Sequence, residues 1–115
     1  MRRNTSRGRC PLNSDRRKHP RYPFIADAEV TDLATDATFR VRTSDLSIGG
    51  CFLDMLNPTP AGTNLHIKII RVSGSFEARG RAAFVMPNSG MGVAFTHVEE
   101  KHMRTLERWL AEISR

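Results

Sequence analysis

A chain of 115 residues suits one domain and is too short for two ordinary ones. Its hydrophobic fraction of 39% and charged fraction of 26% are typical of a soluble globular protein, and its net charge is +6. No apolar run approaches the roughly 18 residues of a membrane-spanning helix, and no apolar stretch follows the N-terminal arginines as in a secretory signal. We therefore expect a cytoplasmic protein without a membrane span.

The positive charge is concentrated at the N-terminus. Residues 1–21 carry eight basic side chains against Asp15 alone, whereas the remaining 94 residues carry ten basic and eleven acidic ones. This asymmetry indicates an anionic partner, and a nucleic acid, a phosphorylated small molecule or an anionic membrane all fit it. Residues 1–14 have almost no apolar content, so we expect a flexible basic arm there and one domain over residues 15–115.

Alternating apolar residues between turn signals predict six short strands. In chain order they are FIADAEVTDL, ATFRVRTSDL, CFLDML, LHIKIIRV, FEARGRAAFVM and MGVAFTHV. Most connections are of hairpin length, which favours antiparallel pairing, and NPTPAGTN is a longer loop. The loss of alternation at Ile70 and Val72 indicates a bulge in the fourth strand.

The last segment has the pattern of an amphipathic helix. Its apolar stripe, at spacings of three and four residues, consists of Met103, Leu106, Leu110 and Ile113. Thr96 and Glu99 have the spacing of a capping box, and Trp109 beside the stripe is expected to pack against the sheet. The predicted fold is mainly β, a six-stranded antiparallel β-barrel with a C-terminal α-helix that covers its edge or mouth.

The titratable side chains predict neither catalysis nor a metal site. Cys10 and Cys51 lack zinc-motif spacing, and a disulfide between them is unexpected in a reducing compartment. We interpret Cys51 as a small apolar residue. The histidines are scattered, and no phosphate-binding GxxxxGK[ST] loop is present. We expect no enzyme, no catalytic residue and no cofactor.

Two short polar clusters remain. In RRKHPRYPF, the prolines disfavour a helix, and arginine forks such as those of Arg17 and Arg21 fit phosphates or the O6/N7 edge of guanine. In DLSIGG, the carboxylate of Asp45 can accept from guanine N–H groups, and the glycines allow close approach of a ligand. Taken singly, the first cluster also fits a solvated tail and the second a simple turn.

Together, the two clusters resemble the PilZ domain family, bacterial receptors for cyclic di-GMP. The family motif RxxxR is matched by RKHPR from Arg17 to Arg21, and the motif (D/N)xSxxG by DLSIGG from Asp45 to Gly50. GRAAFV and GMGVAF look like the closing strands of the family, with Phe84 where a bulky residue is common. The resemblance covers residues 15–114.

The resemblance implies a binding site for cyclic di-GMP. Its expected residues are Arg16, Arg17, Arg21, Asp45, Ser47, Gly49 and Gly50. The arginines of RxxxR would hold phosphates and guanine edges, the aspartate and serine would read the base, and Gly50 would keep the floor open. Arg16 would stack on a second, intercalated ligand, which gives two cyclic di-GMP molecules per protomer.

Ligand binding would order the arm and change the surface that an unidentified effector protein meets. Two alternatives stay open. One is a PilZ-like interaction module that binds no ligand, and the other is a nucleic-acid-binding protein that uses the basic arm. The slightly acidic body lacks a basic and aromatic stripe, which makes nucleic acid the less favoured partner.

Overall fold

The computed structural model describes residues 19–114, so the predicted arm, Arg16 and Arg17 lie outside the described residues. The described part of the chain contains seven strands and one helix. The strands are β1 (Tyr22–Pro23), β2 (Asp27–Asp32), β3 (Thr38–Ser47), β4 (Gly50–Asp54), β5 (Asn64–Arg71), β6 (Gly74–Met86) and β7 (Gly90–His97). The helix, α1, spans Glu100–Ile113.

Six of these strands close into an antiparallel barrel. Neighbours pair in the order β3, β2, β5, β6, β7 and β4, and β4 pairs back with β3. Because the barrel is closed, each of the six strands has a hydrogen-bonded neighbour on both sides, and no edge among these six is left exposed. The predicted six-stranded barrel with a C-terminal helix is confirmed. The two-residue β1, which pairs with the end of β3, was not predicted.

The barrel core follows from alternation along the strands. Leu65, Ile67 and Ile69 of β5 are fully buried and face inward, while their neighbours are more exposed. The predicted bulge in this strand is wrong, because β5 pairs with β2 and β6 without a register shift. Alternation stops near Ile70 because the strand ends at Arg71 and the chain turns.

A bulge lies instead in β3, between Thr43 and Asp45, where the register with β4 shifts. As a result, the strict alternation of buried and exposed residues is interrupted: Thr43 is buried before the bulge and Leu46 is the next buried residue after it. The fully buried hydroxyl of Thr43 accepts the N–H of Ala26 at 3.0 Å and donates to the carbonyl of Phe24 at 2.5 Å. Thr43 therefore ties the connector between β1 and β2 to the bent strand.

Helix α1 packs on the barrel through an aromatic cluster. Leu106 and Trp109 are its buried residues, and the ring of Trp109 stacks on Phe24 with centroids 5.7 Å apart. Phe76 of β6 lies at 6.4 Å from the same indole. The predicted packing of Trp109 against the sheet is confirmed.

The beginning of α1 differs from the prediction. The N-cap is Glu99 and makes no side-chain capping bond, so the predicted capping box with Thr96 is wrong. The first turn is held instead by tertiary contact, since Nδ1 of His102 accepts the N–H of Glu77 at 3.1 Å. Within residues 19–114, no helix combines the length and apolarity required to span a bilayer.

We expect Trp109→Ala to lower the free energy of unfolding by about 3–5 kcal/mol, because it empties a fully buried aromatic site. Urea denaturation followed by circular dichroism would measure this, since Trp109 is the only tryptophan and the variant has no indole fluorescence. Arg108→Ala removes an exposed neighbour on the same helix and should change the value by less than about 0.5 kcal/mol. Equal losses in the two variants would contradict this packing role.

Candidate functional site

The two polar clusters meet at one rim of the barrel. β1 pairs with the end of β3, with Tyr22 opposite Leu46 and Pro23 opposite Asp45. This antiparallel register brings Arg21, the residue before β1, to Ser47. A surface depression forms there, lined by Arg21, Ser47, Gly49, Gly50, Phe84, Gly92 and Val93. The structure thus assembles four of the seven predicted site residues with β6 and β7.

Asp45 lies on β3 two residues before Ser47 and does not line the depression itself. Its Oδ1 atom is buried and has no hydrogen-bond partner among residues 19–114. A buried carboxylate oxygen without a donor is costly, because it has lost water and gained nothing in return. The position therefore suits a donor from outside the described residues.

Ser47 shapes the turn between β3 and β4. Its hydroxyl accepts the N–H of Gly49 at 3.2 Å and donates to the carbonyl of Gly50 at 3.3 Å. Only 6% of Ser47 is exposed. These local bonds are those of a serine that holds a turn, and they leave the backbone of the glycine pair at the rim.

The two glycines of the turn are constrained differently. A Cβ atom on Gly50 would collide with the backbone carbonyl of Val93, so this glycine is required by the close pairing of β4 with β7. That requirement differs from the predicted open floor. A Cβ atom on Gly49 would lie 2.9 Å from Nδ1 of His19, a side chain that is able to move.

Sequence reasoning did not select His19 as a site residue, although it lies inside RKHPR. Its ring packs over Gly49, and its buried Nδ1 has no hydrogen-bond partner in the described part of the chain. Phe84 forms another wall of the depression, because its ring occupies the space that a side chain at Gly92 would fill. In the sequence, the glycines at positions 49 and 92 are the signal that the rings of His19 and Phe84 pack against the backbone there.

Cys51 lies behind the rim and is fully buried. Burial and, to a lesser extent, the nearby carboxylate of Asp45 raise the pKa of its thiol to about 12, against the opposing effect of the guanidinium of Arg21. The thiol is therefore neutral and unreactive at neutral pH. This agrees with the interpretation of Cys51 as a small apolar residue.

The rim combines a cation, a carboxylate oxygen without a donor, an aromatic wall and a glycine turn. Guanidinium groups bind phosphates and purine edges, and a carboxylate accepts from guanine N–H groups. Among the described residues, no three histidine, cysteine or acidic side chains are grouped to hold a metal ion. The fold and rim define a small β-barrel module suited to an anionic ligand that carries a base.

The chain belongs to the PilZ domain family, because the model of that domain matches residues 15–112. The family predicted from the two motifs is thereby confirmed. No curated protein gives a significant match.

Solved structures share this fold. The PilZ domain of YcgR from Escherichia coli with c-di-GMP is 20% identical, with a TM-score of 0.71, and the match covers 87% of this chain and 92% of that one. The PilZ domain of CeSA from a cellulose-synthesizing bacterium is 18% identical, with a TM-score of 0.66 and coverages of 84% and 99%. PlzA of Borreliella burgdorferi in complex with c-di-GMP is 14% identical, with a TM-score of 0.66 and coverages of 85% and 42%. At these identities the likeness establishes the fold.

Substitution of the two turn glycines should separate their roles. We expect Gly50→Ala to lower the free energy of unfolding by about 1–3 kcal/mol, because the added methyl group pushes β4 away from β7. Gly49→Ala should cost less than Gly50→Ala, since the ring of His19 can rotate away. Urea denaturation of both variants tests this. Unchanged stability of Gly50→Ala would show that the pairing tolerates a side chain at this position.

Proposed function

We propose that this protein is a receptor for cyclic di-GMP that binds the dinucleotide at the barrel rim and passes the signal to an effector protein. The observation that carries the proposal is the meeting of Arg21 with the DLSIGG turn, beside a buried carboxylate oxygen of Asp45 without a donor. Family membership supports it, and two structures of the same fold, those of YcgR and PlzA, contain c-di-GMP.

Cyclic di-GMP carries the anionic groups and the N–H donors that would complement Arg21 and Asp45 at the rim. Cyclic di-GMP is doubly anionic, and its guanine bases carry N1–H and N2–H donors. The exposed guanidinium of Arg21 would bind a phosphate or the O6/N7 edge of guanine. Oδ1 of Asp45 would accept from the Watson–Crick edge of the base, which removes the cost of its missing partner.

Arg16 and Arg17, which precede Arg21, would also contact the ligand. Arg17 would complete the cationic grip, and Arg16 would stack on a second ligand molecule, for two molecules per protomer. Neutralising these charges would order the arm of residues 1–14 against the barrel. The ordered arm would then alter the surface that the effector meets. In this proposal the protein acts as a cytoplasmic receptor and adaptor and not as an enzyme.

Isothermal titration calorimetry at moderate salt tests ligand binding. We expect micromolar or tighter affinity for cyclic di-GMP and no binding of GTP. A hydrogen bond to a charged group contributes about 1.5–3 kcal/mol, so Arg21→Ala should weaken binding by roughly one to two orders of magnitude. Arg40→Ala is the matched control, because Arg40 is exposed on β3 and pairs with Glu29 outside the depression.

The titration also counts the ligand. A stoichiometry near two supports the stacking role of Arg16, and a stoichiometry of one contradicts it. Absence of binding by the wild-type protein would overturn the receptor proposal and leave the ligand-free interaction module.

Ordering of the arm has a separate readout. Amides of residues 10–21 should gain protection in hydrogen exchange when cyclic di-GMP is added, because the ligand bridges the arm to the rim. Amides of β5 serve as an internal reference and should not change, because β5 lies three strands away from β4 around the barrel. Unaltered protection of residues 10–21 at saturating ligand would refute the ordering step while leaving the binding proposal intact.

A further inference from the structure

A second surface feature lies outside the rim depression. An open groove of about 520 Å³ is lined by Ile25, Ala26, Asp27, Arg42, Ile70, Arg71 and Val72. These residues come from the connector after β1, from β2 and β3, and from the end of β5 and the turn that follows it. None of them lines the rim depression, so the groove is a distinct surface, which we call the connector groove.

The connector groove exposes two large apolar side chains. Ile25, in the connector between β1 and β2, is 76% exposed, and Val72, in the turn after β5, is fully exposed. Exposed apolar side chains that share one concave surface mark sites of protein association more often than isolated ones do. Ile25 and Val72 are thus suited to be anchors for a partner.

The groove also carries two opposite charges that do not pair with each other. Asp27 and Arg42 lie directly opposite in the register of β2 and β3, and both are exposed, yet no ion pair joins them. The next such pair in the same ladder, Glu29 and Arg40, does form an ion pair at 3.4 Å. Within residues 19–114, neither Asp27 nor Arg42 has another ion-pair partner.

Arg71, the third charge of the groove, is already engaged. Its guanidinium contacts Glu112 at 3.4 Å and lies 5.2 Å from the ring centroids of both Phe24 and Trp109. The groove therefore presents one carboxylate and one guanidinium for intermolecular pairing, beside two apolar anchors. A strongly acidic or basic partner would match only half of this pattern, whereas an identical surface matches all of it.

We propose that the connector groove is a dimerisation surface that binds a second copy of this chain. Across a two-fold axis, Asp27 faces Arg42 of the partner subunit, and the reciprocal pair forms by symmetry. Ile25 and Val72 pack beside the two ion pairs, which lie next to each other at the axis because Asp27 and Arg42 are directly opposite on β2 and β3. A standard interface buries roughly 800 Å² per partner. The connector groove is lined by only seven residues, so we expect the dimer to be weak and reversible. The proposal does not depend on ligand binding.

Sedimentation velocity of the full chain without ligand tests this over a series of protein concentrations from micromolar to millimolar. The wild-type protein should show a reversible monomer–dimer equilibrium. Ile25→Glu should shift it towards monomer, because it replaces one of the two apolar anchors with a charged side chain. Leu56→Glu is the matched control, since Leu56 is 73% exposed and lies outside the groove, and it should sediment like the wild type.

A charge exchange tests the pairing itself. Asp27→Arg and Arg42→Asp should each be monomeric, because like charges then meet across the axis. An equimolar mixture of the two variants should form a heterodimer, since the native Arg42 of the first variant then faces the native Asp27 of the second, and the two substituted side chains form the other ion pair with reversed signs. Circular dichroism of each variant checks that it is folded. A wild-type protein that is monomeric at every concentration, a mixture that stays monomeric, or equal dissociation by Leu56→Glu would each overturn the proposal.

Discussion

The bulge in β3 is the constraint on which the rest of the structure depends. By shifting the register between Thr43 and Asp45, it bends the strand and changes which residues point inward. The first half of β3 then pairs with β2, and its end pairs with β1 on one side and β4 on the other. The position of the rim, where β1, β3 and β4 meet, follows from this shift in register.

The buried hydroxyl of Thr43 makes the bend compatible with the connector between β1 and β2. It serves backbone groups of Phe24 and Ala26 that have no strand partner at this point. Phe24 is thereby held under Trp109, so the helix rests on the same structural element. A single polar side chain in the core thus links the rim, the connector and the helix.

The rim site and the connector groove differ in how they use polar groups. At the rim, Asp45 keeps a buried oxygen without a donor, a local cost that a ligand with N–H groups would remove. In the groove, Asp27 and Arg42 are exposed, so their lack of pairing costs little in the monomer. The first arrangement favours tight, specific binding of a small ligand, and the second favours weak, reversible association.

The sequence by itself determined the class of fold and both motifs, because each is a local pattern. Alternation in β5 and the apolar stripe of α1 reflect the two-residue and 3.6-residue repeats of their backbones. Only the tertiary structure decided the bulge in β3, the need for glycine at Gly50 and the pairing of β1 with β3 that places Arg21 beside the DLSIGG turn. These features depend on which distant strand lies alongside, and hydrogen bonding between strands is not encoded in the spacing of neighbouring residues.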